Sequence, residues 1–501
     1  MLESAFRANV QKLYGFYHSM PYSVQNVLTS ARGLLLAKHR YANGTLRYLR
    51  ELRSHEKWTT EQIINYQRTS LQRILDHACT SVPFYEDYSR LKLASPEDIA
   101  RLPVLHREVV RANPYWFVVQ GQPGSDCIRV GTTGTTGAGL QVSYSEDVAR
   151  RNWAFHMRRW AWAGVKPLSP RVTFFGSRVV PPDRRTPPFW THNYAERQIL
   201  ASIFHLSESN APHYLGFLRQ QIHKVLEGFP SVLAILADFI LKTGNPIPMR
   251  VVFTDGEPLY SRLRESIEQA FATRVFDLYG NTELCGLIHE CEAHRLHVMP
   301  DYSYLEILDE QDRPVSPGEE GFLVWTGFIN HTMPLIRYRI GDRGCWDANP
   351  SCTCGRAFPC VIPTITRESD LLRCPDGRIF SPRALNQALK GAKTLRFCQI
   401  IQEHPGQVLI RGVASDLAAS DDLMTIRGNM QQILGKEVSV SAMLADTPIV
   451  RPGGKIPLII QSSSSPADSV PDGTLHRPPV PEHNEDPSDR RSGKSDSVPT
   501  W

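Results

Sequence analysis

Apolar positions recur at helical spacing through the first hundred residues and switch to alternation further along the chain. Ile64, Leu71, Ile74, Leu75 and Ala78 line one face of a helix; Thr59 and Gln62 have capping-box spacing ahead of it, and Ser81-Val82-Pro83 ends it. From about Gly124 to Pro363 strands and helices alternate. Val251-Val252-Phe253 is a short buried strand and Asp255-Gly256-Glu257-Pro258 a turn. Leu263, Ile267, Ala270 and Phe271 then mark an amphipathic helix, and Val275 to Tyr279 a second strand. Such a βαβ-like unit belongs to an α/β layered fold. After Thr366 a smaller α+β unit follows. Phe397, Gln399 and Ile401 alternate, as do Val408 and Ile410, then Val438 and Val440, while Leu423, Ile426, Met430 and Ile433 share a helix face. From Ser462 the chain is rich in Ser, Pro and Asp and too poor in large apolar residues to bury a core. The predicted organisation is a large domain over 1–366 with a helical N-terminal region over 1–110, a small domain over 371–461, and a disordered tail over 462–501.

Length and charge narrow the class. At 501 residues the chain is too long for one core. A formal charge of +5 is small for that length, so no strong nucleic-acid or anionic-membrane partner is implied. Met1 to Tyr14 is amphipathic without the apolar stretch of a signal peptide, and Val27 to Leu36 is interrupted by Ser30, Arg32 and Gly33. The expectation is a cytoplasmic protein with no transmembrane segment. In that reducing compartment, clustered cysteines among the ten present are more often metal ligands than disulfides.

Arg129 to Ser145, RVGTTGTTGAGLQVSYS, concentrates glycine and threonine. Glycines allow positive φ, and successive amides of such a loop form a nest for phosphate oxygens to which hydroxyls add donors. A flexible linker is the alternative. No Gly-Lys-Ser/Thr follows, so it is not a kinase-type P-loop. Val142 and Tyr144 after it alternate as a strand.

Four further stretches follow in order: Phe253-Thr254-Asp255-Gly256-Glu257-Pro258-Leu259; Leu278-Tyr279-Gly280-Asn281-Thr282-Glu283; Tyr338-Arg339-Ile340-Gly341-Asp342-Arg343-Gly344 with Thr366-Arg367-Glu368-Ser369-Asp370; and Arg451-Pro452-Gly453-Gly454-Lys455-Ile456-Pro457. With the Gly/Thr loop, this series resembles that of the acyl-adenylate-forming superfamily. Within it, the series is most similar to the phenylacetate–CoA ligase-like branch. That branch includes ligase-like proteins of capsular polysaccharide clusters and synthetases that adenylylate a deazaflavin cofactor. Val82-Pro83-Phe84-Tyr85 and Leu102-Pro103-Val104-Leu105-His106-Arg107-Glu108 resemble the branch's entry sequence. The resemblance covers roughly Trp58 to Ile460 and implies a mobile lid for the small domain.

It also implies roles. Thr133, Gly134, Thr135, Thr136 and Gly137 would cradle the phosphates of ATP. Asp255, Gly256, Glu257 and Pro258 would lie against adenine, Tyr279 would stack on the base beside Gly280 and Asn281, and Thr282 would bind a phosphate. Glu283 would hold Mg²⁺, a hard cation suited to carboxylate and phosphate oxygens. Asp342 would accept from the ribose hydroxyls, Arg367 would bind ribose or phosphate, and Lys455 would reach the carboxylate and α-phosphate, neutralising developing charge. The chain departs from the family at Ala138-Gly139, where Lys-Pro is usual, and at Thr366 and Ser369-Asp370, where the hinge usually begins Gly-Arg and has paired acids.

Cys291, His297, Cys352 and Cys354 can close a tetrahedral Cys₃His zinc site, with His294 as a competing ligand and scattered reduced cysteines as the alternative. Soft thiolates without an open position make such a zinc structural.

The expected function is ATP-dependent activation of a carboxylic acid as its adenylate, with coenzyme A as acceptor, ATP and Mg²⁺ as cofactors, and no nucleic-acid partner. Transfer to an amine, sugar or carrier stays open, as do a non-catalytic zinc-stabilised scaffold and a homodimer. Phe175, Phe239 and Cys285 are candidate acid-pocket positions. Arg129, Arg150, Arg151, Arg158 and Arg159 favour either CoA phosphates or, as the bland reading, a solvated basic helix face.

Overall fold

The computed structural model describes residues 16–119, 127–131, 140–177, 179–181, 184–367, 372–375, 379–380, 385, 387–389, 394–404, 406–414, 419–450 and 456–461. Thr133 to Gly137, Lys455 and the 462–501 tail lie outside these residues, and Arg367 is described by its backbone alone.

Three helices come first: α1 Tyr22–Arg40, α2 Asn43–His55 and α3 Thr60–Ser81. Both halves of the α3 capping box form: Thr59 Oγ1 accepts from the Gln62 amide at 3.3 Å and Gln62 Oε1 from the Thr59 amide at 2.9 Å. The buried stripe runs through Ile63, Leu71, Ile74, Leu75 and Ala78; Ile64 is turned out at 46% exposure, one position off the predicted phase.

A short strand, β1 Leu105–His106, leads into α4 Arg107–Ala112. The flanks of the Gly/Thr stretch form an antiparallel hairpin, β2 Cys127–Gly131 with β3 Gln141–Ser145, and α5 Glu146–Trp162 follows directly. The centre of the large sheet is parallel: β4 Arg171–Phe174, β6 Gln198–Ala201, β7 Val225–Gly228, β8 Val251–Asp255 and β9 Val275–Gly280, with β5 Trp190–Asn193 added antiparallel at one edge. Helices α6 Ala211–Arg219, α7 Pro230–Lys242 and α8 Ser261–Phe271 are the connections and cover it. The β8-α8-β9 unit is the βαβ element legible in the sequence; its strands are buried on both faces, as parallel strands between helices must be. An antiparallel continuation, β10 Leu287–Glu290, β11 Leu296–Val298, β12 Ser303–Leu308, β13 Gly321–Gly327, β14 Tyr338–Trp346 and β15 Cys360–Arg367, completes a 13-stranded sheet in the order β12-β13-β14-β15-β11-β10-β9-β8-β7-β4-β6-β5, with β1 beside β14.

Buried ion pairs lock the N-terminal helices to this sheet. Arg158 on α5 is fully buried and donates to both oxygens of Asp301 (2.7 and 2.9 Å), and His55 Nδ1 reaches the same carboxylate at 2.9 Å. Its neighbour Arg159 donates to the carbonyls of Thr254 and Phe276 at 2.7 and 2.8 Å. Neither arginine is a CoA contact nor part of a solvated face, which corrects the sequence reading. Arg150 and Arg151 pair with Glu146 and Asp147 on α5 itself.

The small unit contains β16 Leu372–Arg373, β17 Ile379–Phe380, β18 Leu395–His404, β19 Gln407–Ala414, α9 Ala419–Leu434, β20 Ser439–Ala445 and β21 Ile459–Gln461. Its main sheet has the order β20-β19-β18-β21, with α9 laying Leu423, Ile426, Met430 and Leu434 against it. Leu434, not Ile433, completes the buried stripe.

Candidate active site

Two turns at the carboxyl ends of neighbouring parallel strands build the site, the place where open α/β sheets bind ligands. The β8 strand ends at Asp255, and the turn through Gly256 has φ of 75°, a conformation that favours glycine. The β9 strand ends at Tyr279-Gly280 and runs into the loop Asn281 to Gly286. Asn281 ties this loop together: Oδ1 accepts from the Cys285 amide at 3.0 Å and Nδ2 donates to the Gly286 carbonyl at 3.3 Å. The loop is pressed onto Trp325 of β13, since a Cβ at Gly286 would come within 2.4 Å of the indole.

The sheet brings Tyr279 and Asp342 together. Tyr279 Oη donates to Asp342 Oδ2 at 2.7 Å, and the Tyr279 ring stacks on Trp325 with centroids 6.0 Å apart. Burial, then the Asp342 charge, holds the Tyr279 phenol well above its usual range, so it stays a donor. Its proton occupies one of the acceptor positions of the carboxylate. Four residues earlier on β14, Tyr338 Oη donates to Glu283 Oε1 at 3.2 Å. Burial raises the Glu283 pKa, opposed chiefly by Arg107 of α4. Thr282 is half-buried in the same loop, and β15 pairs Arg367 opposite Asp342 in backbone register.

Glu257 sits between the two units. Its Oε2 accepts from the Ser231 amide in the first turn of α7, and its Oε1 from the Ile456 amide of the small unit, both at 3.0 Å. Arg262 on α8 adds a second bridge, donating to the Leu395 carbonyl at 2.6 Å. Asp255 lies 3.9 Å from the Arg159 guanidinium, and Pro258 is exposed.

The sulfur cluster lies behind β10. The ligand atoms of Cys291, His297, Cys352 and Cys354 all fall within 4.8 Å of one another. Cys291 Sγ and Cys352 Sγ are 3.6 Å apart, and Cys354 Sγ is 3.5 Å from His297 Nε2. His297 Nδ1 lies 2.8 Å from the Phe358 carbonyl, which can only accept; this assigns the proton to Nδ1 and leaves the Nε2 lone pair facing the sulfurs. At Cys352 the effect of burial is outweighed by hydrogen bonds from the Cys354 amide and neighbouring thiols, so its pKa is lowered. The donor set and the tautomer fit a tetrahedral zinc. His294 is outside the set: its Nδ1 bonds Glu290 at 2.8 Å.

Phe175 and Phe239 pack in the core around β4 and α7, whereas Cys285 belongs to the core beneath Trp325; the three do not converge. The sequence reading missed Trp325 and the bridging role of Glu257, because neither partner of either contact is close in sequence. Tyr338 opened a singled-out stretch, yet nothing in its spacing pointed to Glu283.

No protein-family model matches the chain. Protein CapK of Staphylococcus aureus is 23% identical over 339 residues, covering 65% of this chain and 71% of that protein. The phenylacetate-coenzyme A ligase of Thermus thermophilus is 24% identical over 283 residues, 55% of this chain and 62% of the ligase. Among solved structures, 2-hydroxyisobutyryl-CoA ligase in the postadenylation state with R3-HIB-AMP superposes with a TM-score of 0.63 at 19% identity, covering 82% of this chain and 91% of that one. The fold is that of the adenylate-forming ligases. Its sequence relatives are of the phenylacetate–CoA ligase-like branch. The chain thus matches a little under two thirds of the Thermus ligase's length.

Proposed function

We propose that this protein activates a carboxylic acid with ATP, forming an acyl-adenylate and pyrophosphate, and then passes the acyl group to coenzyme A with release of AMP. The observation that carries the reading is the Tyr279–Asp342 hydrogen bond at the carboxyl end of β9, beside the Glu283 loop. An ionised carboxylate is an acceptor with several lone-pair positions, the chemistry that the two vicinal hydroxyls of a ribose require. In this reading Tyr279, with Gly280 and Asn281 beside it, and the Asp255 to Pro258 turn flank the adenine, and Thr282 binds a phosphate. Thr133 to Gly137 would supply amide and hydroxyl donors to the phosphates, and Arg367 would bind ribose or phosphate.

Glu283 would hold Mg²⁺, which when bound neutralises phosphate charge. Because burial raises the Glu283 pKa, protons compete with the ion, and adenylation falls as pH drops through that raised pKa. Cys291, His297, Cys352 and Cys354 would hold a structural zinc, and a reducing cytoplasm would keep these thiols available. The test is acid-dependent ATP–pyrophosphate exchange across aryl, fatty and amino acids, followed by CoA-dependent AMP release. Exchange with an acid of the panel and AMP release on adding CoA are expected; exchange without any response to CoA would move the acceptor to an amine, sugar or carrier.

The Glu257 bridge adds a mechanistic expectation. Lys455 directly precedes Ile456, so the carboxylate holds the backbone next to the lysine that approaches the reacting carboxylate in this reading. Glu257→Ala removes one charge-assisted bond to that backbone and should slow exchange about 10-fold. Thioester formation from preformed acyl-adenylate should slow less, since the lid is expected to move before that step. Equal loss in both half-reactions would show that Glu257 acts on binding alone.

A further inference from the structure

Helix α1 is mounted with its amphipathicity reversed. Its buried residues are Gln25, Asn26, Gly33 and Arg40, all polar or small. Asn26 and Gly33 face β5, the edge strand of the large sheet, whose outer backbone groups need partners, and Arg40 reaches the turn that follows it. Asn26 Oδ1 accepts from the His192 amide at 2.9 Å, and Ser30 Oγ donates to the His192 carbonyl at 3.2 Å and accepts from the Tyr194 amide at 3.0 Å. Arg40 meets both oxygens of the buried Glu196 at 2.9 and 3.0 Å. Gly33 lies so close to Asn193 that a Cβ would overlap its amide. Capping the sheet edge uses the polar face, so the apolar face is left outward.

That outward face is continuous. Val24, Val27, Leu28, Ala31, Leu34 and Leu35 recur three and four apart, and Val27, Leu34 and Leu35 are 64%, 56% and 62% exposed. Helix α1 carries no Asp or Glu, and Arg32 and Lys38 are exposed along it. The next helix adds exposed Arg47, Arg50 and Arg53 against a single exposed acid, Glu51. We infer that this face of α1 is an interfacial docking surface for an anionic lipid bilayer, with the apolar side chains entering the headgroup boundary and the basic ones meeting lipid phosphates.

Two arguments favour lipid over a second copy of the chain. An apolar stripe roughly 17 Å long, from Val24 to Leu35, buries less than the ~1,200 Å² a stable dimer needs. A second copy would also bring basic α1 against basic α1, with no helix acid to pair them. The modest net charge of the whole chain does not oppose this, because screening over about 8–10 Å makes the local cluster decisive. The inference is independent of the catalytic reading.

Sedimentation of the full-length protein with vesicles tests it, comparing phosphatidylcholine alone with phosphatidylcholine containing phosphatidylglycerol. Binding to the anionic vesicles alone is expected, weakened at least ~10-fold by Leu34→Glu with Leu35→Glu and several-fold by Lys38→Glu. Lys38→Glu replaces an exposed charge and keeps the test decisive if the double variant does not fold. Absence of wild-type binding, or equal binding by folded variants, overturns the proposal. So does a dimer by light scattering that the double variant renders monomeric without any vesicle binding, which would assign the face to a second copy.

Discussion

Asp342→Ala is expected to reduce acid-dependent ATP–pyrophosphate exchange by roughly 100- to 10,000-fold. The carboxylate would accept two hydrogen bonds from ribose, each worth about 1.5–3 kcal/mol when one partner is charged, and each ~1.4 kcal/mol is a tenfold change in rate. The substitution also strips the Tyr279 phenol of its partner in a buried setting, at a cost of about 1–3 kcal/mol in stability. Thermal unfolding of the same sample separates the two effects, since a shift of that size leaves a 501-residue protein folded at assay temperature. Tyr279→Phe leaves the carboxylate in place and should lose much less. The double variant should lose little more than Asp342→Ala, because the two side chains act through one hydrogen bond. Unchanged exchange in folded Asp342→Ala would sink the assignment of this carboxylate to ribose.

Stripping the sulfur cluster should have the largest effect on stability. Cys291 follows β10, His297 lies on β11, and Cys352 and Cys354 lie in the turn between β14 and β15, so a bound metal would cross-link three segments of the antiparallel half of the sheet. Removing a ligand leaves buried or partly buried thiols beside an imidazole whose Nε2 lone pair the Nδ1–Phe358 bond turns toward them. Structural zinc in small domains supplies on the order of 10 kcal/mol. Loss of a contribution of that order would lower the unfolding temperature of a 501-residue chain by about 10 °C. Cys291→Ser and chelated wild type should therefore melt together, well below the metal-replete protein. A single zinc per chain by elemental analysis, released by thiol modification, is the matching observation. Metal-free protein that melts like the zinc-replete one would leave the cluster as reduced cysteines.

The helix α3 and the β8-α8-β9 unit were legible in the sequence because local rules decide them. A capping box is closed by residues three apart, and a buried parallel strand needs only an apolar run. The residue types of the site were legible as well, since glycine turns next to hydroxyl and carboxylate residues mark strand ends wherever the sheet goes. Contacts between distant segments were not. Tyr279 and Asp342 lie 63 positions apart, and only the shared sheet, which carries β9 and β14 into one structure, makes them partners. Glu257 reaches Ile456 across 199 positions, and no local pattern encodes that pairing. Arg158 and Arg159 read as an exposed basic face; their burial depended on Asp301 and on the carbonyls of Thr254 and Phe276 arriving at the same point. The orientation of α1 is a further case. The apolar stripe from Val24 to Leu35 is turned outward, because the edge of β5 is bonded by the polar face. Periodicity along a chain determines which residues share a face, but which face is buried depends on what the neighbouring element must satisfy.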